Sequence, residues 1–289
     1  MFSHNIESIF NRSGLAALSD LESPGYKNIF SQLEKDQETF LEKEAEFRSK
    51  VYKWPRDPLH TWSRVWEYPY VYHALGEQLV RLGPSSSPKV VDLGSGVTFF
   101  PFAVACLGYE VICMDTDPVC GPDIKRASSV VPQKPGNVSF SLLTESQLPL
   151  IDSDADIVYC ISVLEHIHNF ENTIEEVCRI LKPGGLFILT IDLDACGYLD
   201  ISVDRYYKLR KVLSKYFDLK KPEISVHPMD ELKCHNGPFP YLAYSTRQKW
   251  MFHLKQRIRA LFGKQSFRVL PNLAVWGAIM TRKCDLAHE

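Results

Sequence analysis

From residue 89 onward, short apolar runs alternate with segments of helical periodicity. Lys89–Leu93, Glu110–Met114, Val138–Leu142, Asp156–Ile161 and Leu186–Ile191 read as strands. Most are apolar nearly throughout, as in strands covered on both faces. Between them the pattern predicts helices near Phe100–Leu107, Pro122–Ser129 and Glu171–Leu181, the last stopped by Lys182-Pro-Gly-Gly185. Strand–helix alternation of this kind predicts a parallel sheet joined by right-handed crossovers. Beyond the fifth strand the rhythm loosens. Helices are expected over Asp204–Tyr216 and Trp250–Leu261 and a late strand over Leu273–Thr281, while Pro222–Ala243 is rich in Pro, His and polar residues.

The first 85 residues follow a different pattern. Tyr26 to Val51 has apolar residues at helical spacing (Ile29, Phe30, Leu33, Phe40, Leu41, Phe47) with dense Glu and Lys between them. Two aromatic segments follow, Trp54–Pro58 and Trp62–Tyr72, then a helix over His73–Leu82 and a Gly83–Pro88 loop. The expected organisation is a helical cap over residues 1–85 and a main domain over 86–289, with a substrate-covering insertion at about 222–245.

Composition changes this picture little. A chain of 289 residues with 45% hydrophobic and 24% charged residues is ordinary for a globular protein of one large domain, with or without a cap. A net charge of −2 does not point to a dedicated nucleic-acid binder. Eight cysteines without a CxxC pair read as buried free thiols, which suits a reducing, cytoplasmic setting. The first residues carry no signal-peptide pattern and no run of about 18 apolar residues occurs, so no membrane partner is expected. One local bias stands out: Arg247 to Arg268 holds seven Lys/Arg and no acid. It reads as a solvated helix face or as a docking surface for an anionic substrate or partner.

The chemistry concentrates where the first strand ends. Asp92-Leu-Gly-Ser-Gly96 makes a tight turn at the carboxyl end of a parallel strand, where ligands of open α/β sheets bind. Gly94 and Gly96 let backbone approach a ligand closely. Asp115, 21 residues after Gly94, ends the second strand and is placed to accept both hydroxyls of a ribose. Asp92 is suited to order the loop or to receive an ammonium through water. A dinucleotide fits less well, because the third small residue of its fingerprint is Phe99 here and Asp92 would face a pyrophosphate.

On these residues, 89–192 resembles the core of class I S-adenosylmethionine-dependent methyltransferases. Asp92–Gly96 is similar to the first motif of that family and Asp115 to its ribose-binding acid. Leu148–Asp156, Ser162–Ile167 and Leu181–Phe187 are similar to later motifs in the same order. The resemblance implies a Rossmann-like, doubly wound, mostly parallel seven-stranded sheet. It implies S-adenosylmethionine as cofactor, held by Asp92, Gly94, Ser95, Gly96, Thr98, Asp115, Thr116 and Ser162. Two departures matter: Thr98 replaces the third Gly of the first motif, and Thr144 stands where many members carry an acid toward adenine, which leaves Glu145 or Ser146 for that contact.

Methyl transfer to a hydroxyl also needs a proton acceptor, and His166, at the ligand edge after the fourth strand, is the first candidate base. His168 is a weaker one. Arg64 is expected on a carboxylate of cofactor or acceptor, and Trp66, Tyr68 and Tyr70 on the acceptor, unless this aromatic run is a packed cap–core interface. His227 and His235 are candidates on the covering insertion; with Cys234 they lack a fourth ligand, so no metal is expected. The expected activity is methylation of a small-molecule acceptor, oxygen ahead of nitrogen. Its competitors are an RNA or protein methyltransferase working through the basic 247–268 surface and a non-catalytic S-adenosylmethionine-binding protein.

Overall fold

The computed structural model describes residues 10–53, 55–83, 87–144, 147–194, 201–241, 246–263 and 272–284. In chain order the strands and helices are β1 (Gly14–Leu15), α1 (Pro24–Glu42), α2 (Glu44–Phe47), α3 (Arg64–Leu82), β2 (Lys89–Leu93), α4 (Phe100–Leu107), β3 (Glu110–Asp115), α5 (Cys120–Val130), β4 (Asn137–Leu142), β5 (Ala155–Ile161), α6 (Phe170–Ile180), β6 (Leu181–Asp194), α7 (Val203–Tyr216), β7 (Phe217–Leu219), α8 (Thr246–Leu261) and β8 (Leu273–Arg282). Among the described residues no helix is long and apolar enough to cross a membrane.

The sheet runs β1-β8-β6-β5-β2-β3-β4, with β7 also paired to β8. β4, β3, β2, β5 and β6 are parallel, and β8 is antiparallel to β6, β7 and β1. This is the expected mostly parallel, doubly wound sheet, with the two-residue β1 added beyond the seven. The chain leaves β2 toward β3 on one side and returns to β5 on the other, so the switch point of the topology lies at the carboxyl end of β2.

Two apolar layers cover the sheet. Val91, Leu93, Val158, Phe187 and Leu189 pack with Ile174 and Val177 of α6 and Leu209 and Leu213 of α7. On the opposite face Val90, Val111, Ile157, Tyr159 and Ile188 share one core with α4, α5 and the N-terminal segment, from Phe10 through Leu33, Phe40 and Trp66 to Leu75. The N-terminal helices therefore help to cover one face of the sheet.

Helix α3 starts nine residues before the predicted helix: Arg64–Leu82 is one helix, and the aromatic run Trp62–Tyr72 lies almost wholly inside it. Pro69 obscured this, because an internal proline removes a donor and frees the carbonyl four residues back. That carbonyl is Val65 O, and Tyr26 of α1 donates its hydroxyl to it at 3.1 Å. The ring stack of Trp66 on Tyr70 (centroids 4.4 Å apart, planes at 17°) lies on β8 at Gly277, where an added Cβ would sit 2.9–3.0 Å from both rings. Strand β6 also begins earlier than predicted. Leu181 pairs with Ala155, and the Lys182–Gly185 turn forms an irregularity in the strand before regular pairing resumes at Leu186.

Candidate active site

The carboxyl ends of β2, β3, β5 and β6 open onto a cavity of about 650 Å3. One wall is the sheet edge: Asp92, Gly94, Ser95, Gly96, Asp115, Thr116, Ser162 and Asp192. The facing wall comes from the loop before α3 and its first turns: Tyr52, Pro55, Pro58, Thr61, Trp62, Arg64 and Tyr68. His166, Ile167 and Tyr241 complete the rim.

The β2 turn is built from backbone. Gly94 and Gly96 have φ of +79° and +54°. A Cβ on Gly94 would lie 2.4 Å from the Val163 side chain, so only glycine closes this turn without displacing its neighbour. Four successive amides are used within the protein. Gly94 N and Ser95 N donate to Met114 O at 2.8 and 3.1 Å, Gly96 N to Asp115 Oδ2 at 2.9 Å, and Val97 N to the Tyr52 hydroxyl at 2.8 Å. The loop's amides are thus spent within the protein, unlike the amide cradles that hold phosphates. Asp115 also accepts from Asp117 N through Oδ1 at 2.9 Å. Each of its oxygens keeps a second lone pair, enough for a cis-diol.

Asp92 is buried. In register with it on the neighbouring strands stand Cys113 and Tyr159. Burial pushes its carboxyl up to about 8; Tyr159 pulls it back, the charge of Asp115 pushes it further up, and Arg64 opposes. A cation entering the cavity beside Asp92 would favour its ionised form.

The facing wall is held by side chains. Arg64 pairs with Glu67 one helical turn on, and Glu67 is fully buried. Glu67 also accepts from the Ser162 hydroxyl at 2.7 Å, which ties α3 to the end of β5. Ser162 itself has φ of +46°, a left-handed backbone uncommon for a residue with a Cβ. Glu165, buried below it, accepts from Asp192 N at 3.0 Å through Oε1, while Oε2 has no hydrogen-bond partner among the described residues. Burial pushes Glu165 up to about 8. Tyr68 stacks on Phe100 at 4.5 Å. Tyr52 lies under the Arg48 guanidinium at 4.6 Å, and Arg48 Nη2 donates to Val97 O at 3.2 Å.

Of the residues singled out from the sequence, Asp92, Gly94, Ser95, Gly96, Thr98, Asp115, Thr116, Ser162, Arg64, Tyr68 and His166 therefore line one cavity. Trp66 and Tyr70 do not. Both are in the core, Trp66 donating Nε1–H to Asp20 at 2.7 Å and Tyr70 its hydroxyl to Arg12 O at 2.9 Å. They lie on the helix face toward β8, whereas Arg64 and Tyr68 face the cavity. His227 is exposed, and neither it nor His235 is among the lining residues. Their segment is tied back to the N-terminal stretch, with Glu231 bridged to Ala17 and Asp230 bonded to Ser19. Glu145 and Ser146 lie outside the described residues. Tyr52, Thr61, Trp62 and Asp192 were missed as site residues. Trp62 sat within the aromatic run already suspected, but Tyr52 carries no local signal, since it reaches the turn through a tertiary contact.

Residues 91–189 match the family model described as a methyltransferase domain. An uncharacterized methyltransferase of Mycolicibacterium vanbaalenii is 24% identical over 176 residues, covering 56% of this chain and 67% of that one. The ubiquinone biosynthesis O-methyltransferase of Rickettsia akari is 29% identical over 107 residues, covering 36% and 40%. The crystal structure of the [4+2]-cyclase SpnF superposes with a TM-score of 0.50 at 14% identity, over 94% of this chain and 99% of that one. The first two chains are thus matched over two thirds or less of their lengths. The third supports the fold alone, since unlike chemistries share this architecture.

Proposed function

We propose that the chain is a class I S-adenosylmethionine-dependent methyltransferase and that it methylates a small molecule held between the sheet edge and the α3 wall. The observation that carries this reading is the two-walled cavity at the carboxyl ends of the strands. At about 650 Å3 it falls in the range of small-molecule sites, roughly 300–1,000 Å3, and is walled on two sides by residues of this chain.

The residues present fit the cofactor. Gly94 and Gly96 line the cavity at the strand end, Asp115 has the acceptor capacity for the ribose hydroxyls, and the buried Asp92 carboxyl offers a counter-charge to its ammonium. With the turn's amides already used, Arg64 and Thr98 remain for its carboxylate: Arg64 lines the cavity with donors beyond those given to Glu67 and Ser63. When bound, S-adenosylmethionine supplies an already activated methyl group. The protein's part is to align the acceptor and to exclude water. Tyr68 bears on the acceptor's position; Trp66 and Tyr70 act on it only by fixing α3.

Oxygen is favoured over nitrogen as the acceptor atom. A hydroxyl must lose a proton in the transfer, and His166 on the rim is an imidazole able to take it. The relative named as an O-methyltransferase points the same way. Free thiols at all seven described cysteines suit the cytoplasm. The test is incubation of methyl-labelled S-adenosylmethionine and the protein with a cell extract, followed by mass spectrometry. Label on the oxygen of a metabolite is expected. Label confined to polymer, or no binding of S-adenosylmethionine at millimolar concentration in calorimetry, overturns the reading.

A further inference from the structure

Helix α8 turns an apolar face outward. Trp250, Met251, Leu254, Ile258 and Leu261, with Phe262 just beyond the helix, follow one stripe at helical spacing, and all six are exposed: Trp250 by 62%, Leu261 by 84% and Phe262 by 76%. The side chains on the other side, Phe252, Gln256 and Arg259, are half-buried. The helix therefore shows solvent the face that a packed helix would hide. Exposed Arg247, Lys255 and Arg257 accompany the stripe, and no acid occurs between 246 and 263.

We propose that α8 seats the protein on an anionic lipid surface, lying in the headgroup plane with this stripe buried. An apolar stripe rimmed by cations is what an in-plane helix needs, and the helix is too short and too charged to span. The cationic rim selects among occupants. A second copy would bring like charges together, and a nucleic acid would use the cations but leave Leu254, Ile258 and Leu261 in water. An anionic bilayer satisfies both features. The expectation of no membrane partner, drawn from the lack of a spanning segment, does not reach a surface of this kind. The inference is independent of the methyl acceptor.

The test is co-sedimentation of the whole chain with vesicles of phosphatidylcholine alone or with about 30% phosphatidylserine. Binding to the anionic vesicles is expected to exceed binding to neutral ones at least about tenfold, since each basic residue near the surface contributes roughly fivefold. Leu254→Glu/Ile258→Glu and Lys255→Glu/Arg257→Glu, at exposed positions, are each expected to lower it by about tenfold or more while leaving the melting temperature and S-adenosylmethionine binding unchanged. Absence of binding to anionic vesicles, or undiminished binding by both variants, overturns the proposal. So does a dimer in light scattering that the apolar variant dissolves, or salt-dependent binding to RNA without binding to vesicles.

Discussion

The two walls of the cavity are made in different ways. The sheet wall is largely backbone: the Gly94 turn and the strand end at Asp115 hold their places through glycine dihedrals and hydrogen bonds from the turn's main-chain amides to Met114 O and the Asp115 carboxylate. The α3 wall is side chain: a buried Arg64–Glu67 pair, the Ser162 hydroxyl on Glu67, and Tyr68 stacked on Phe100. A backbone wall constrains few residue types but constrains them absolutely. A side-chain wall spreads its dependence over a buried polar network, in which removing one member strands the others. The first suits the part of a site that meets an invariant cofactor, the second the part that can vary with the acceptor.

The sharpest break falls on the second wall. Arg64→Ala leaves Glu67 buried without its cation and is expected to cost about 3 kcal/mol of stability, the low end for a broken buried pair because Arg64 is about a quarter exposed. Denaturant unfolding measures it. Arg64→Ala/Glu67→Leu removes both charges and should recover most of the loss. If the double variant is no more stable than the single one, the wall is not held by this pair.

On the first wall, Gly94→Ala meets both a positive φ and the Val163 side chain at 2.4 Å. Strain and overpacking together predict a loss of about 2–3 kcal/mol. S-adenosylmethionine binding should fall with it, because the turn that moves is the one the cofactor touches. Calorimetry on a Gly94→Ala sample still folded at low temperature checks this; full affinity would mean that the backbone wall tolerates displacement.

The walls also differ in how much the sequence disclosed. Strand β2, helix α4 and the turn between them were placed to the residue, because buried parallel strands and glycine turns write themselves locally as apolar runs and spacing. Asp92–Gly96, Asp115 and the Ser162–Ile167 segment pointed to the sheet wall for the same reason. Helix α3 was shortened because Pro69 is a legitimate stop signal, and what overrides it, the Tyr26 hydroxyl on Val65 O, is 39 residues away in sequence. Trp66 and Tyr70 were assigned to the acceptor along with Tyr68 because a run of aromatics does not disclose its helical phase. Once α3 is known to start at Arg64, that phase separates them.

Protonation gives a third probe, on the Asp92 carboxyl of the sheet wall and the buried Glu165 carboxyl. Asp92 and Glu165 both titrate at about 8 when folded, far above their ordinary values of about 4. The folded state thus holds protons that the unfolded chain releases, so the stability they contribute is complete below pH 4 and is lost as pH rises through 8. Each contributes a slope of at most about 1.4 kcal/mol per pH unit. The ligand-free protein should lose stability from pH 5 to 9, and Asp92→Asn should remove about half of that slope. If Asp92 faces the cofactor's ammonium, binding at pH 7 should also release protons, visible as a dependence of the calorimetric enthalpy on buffer. A pH-independent melting temperature would remove both carboxyls from this account.

Tyr52 is where the two walls meet, and its substitution has the smallest expected effect. Its hydroxyl accepts from Val97 N on the sheet side while its ring lies under Arg48 on the N-terminal side. Tyr52→Phe keeps the ring and its packing and removes only the acceptor, so the Val97 amide must find water from the cavity, at a cost of about 1 kcal/mol. That loss should appear mainly in the affinity for S-adenosylmethionine, about fivefold, with little change in melting temperature, because Gly96 and Val97 would gain freedom while the strands around them do not. The opposite split, an unchanged affinity with a lower melting temperature, would make Tyr52 a prop of the N-terminal segment alone and separate the two walls that it now joins.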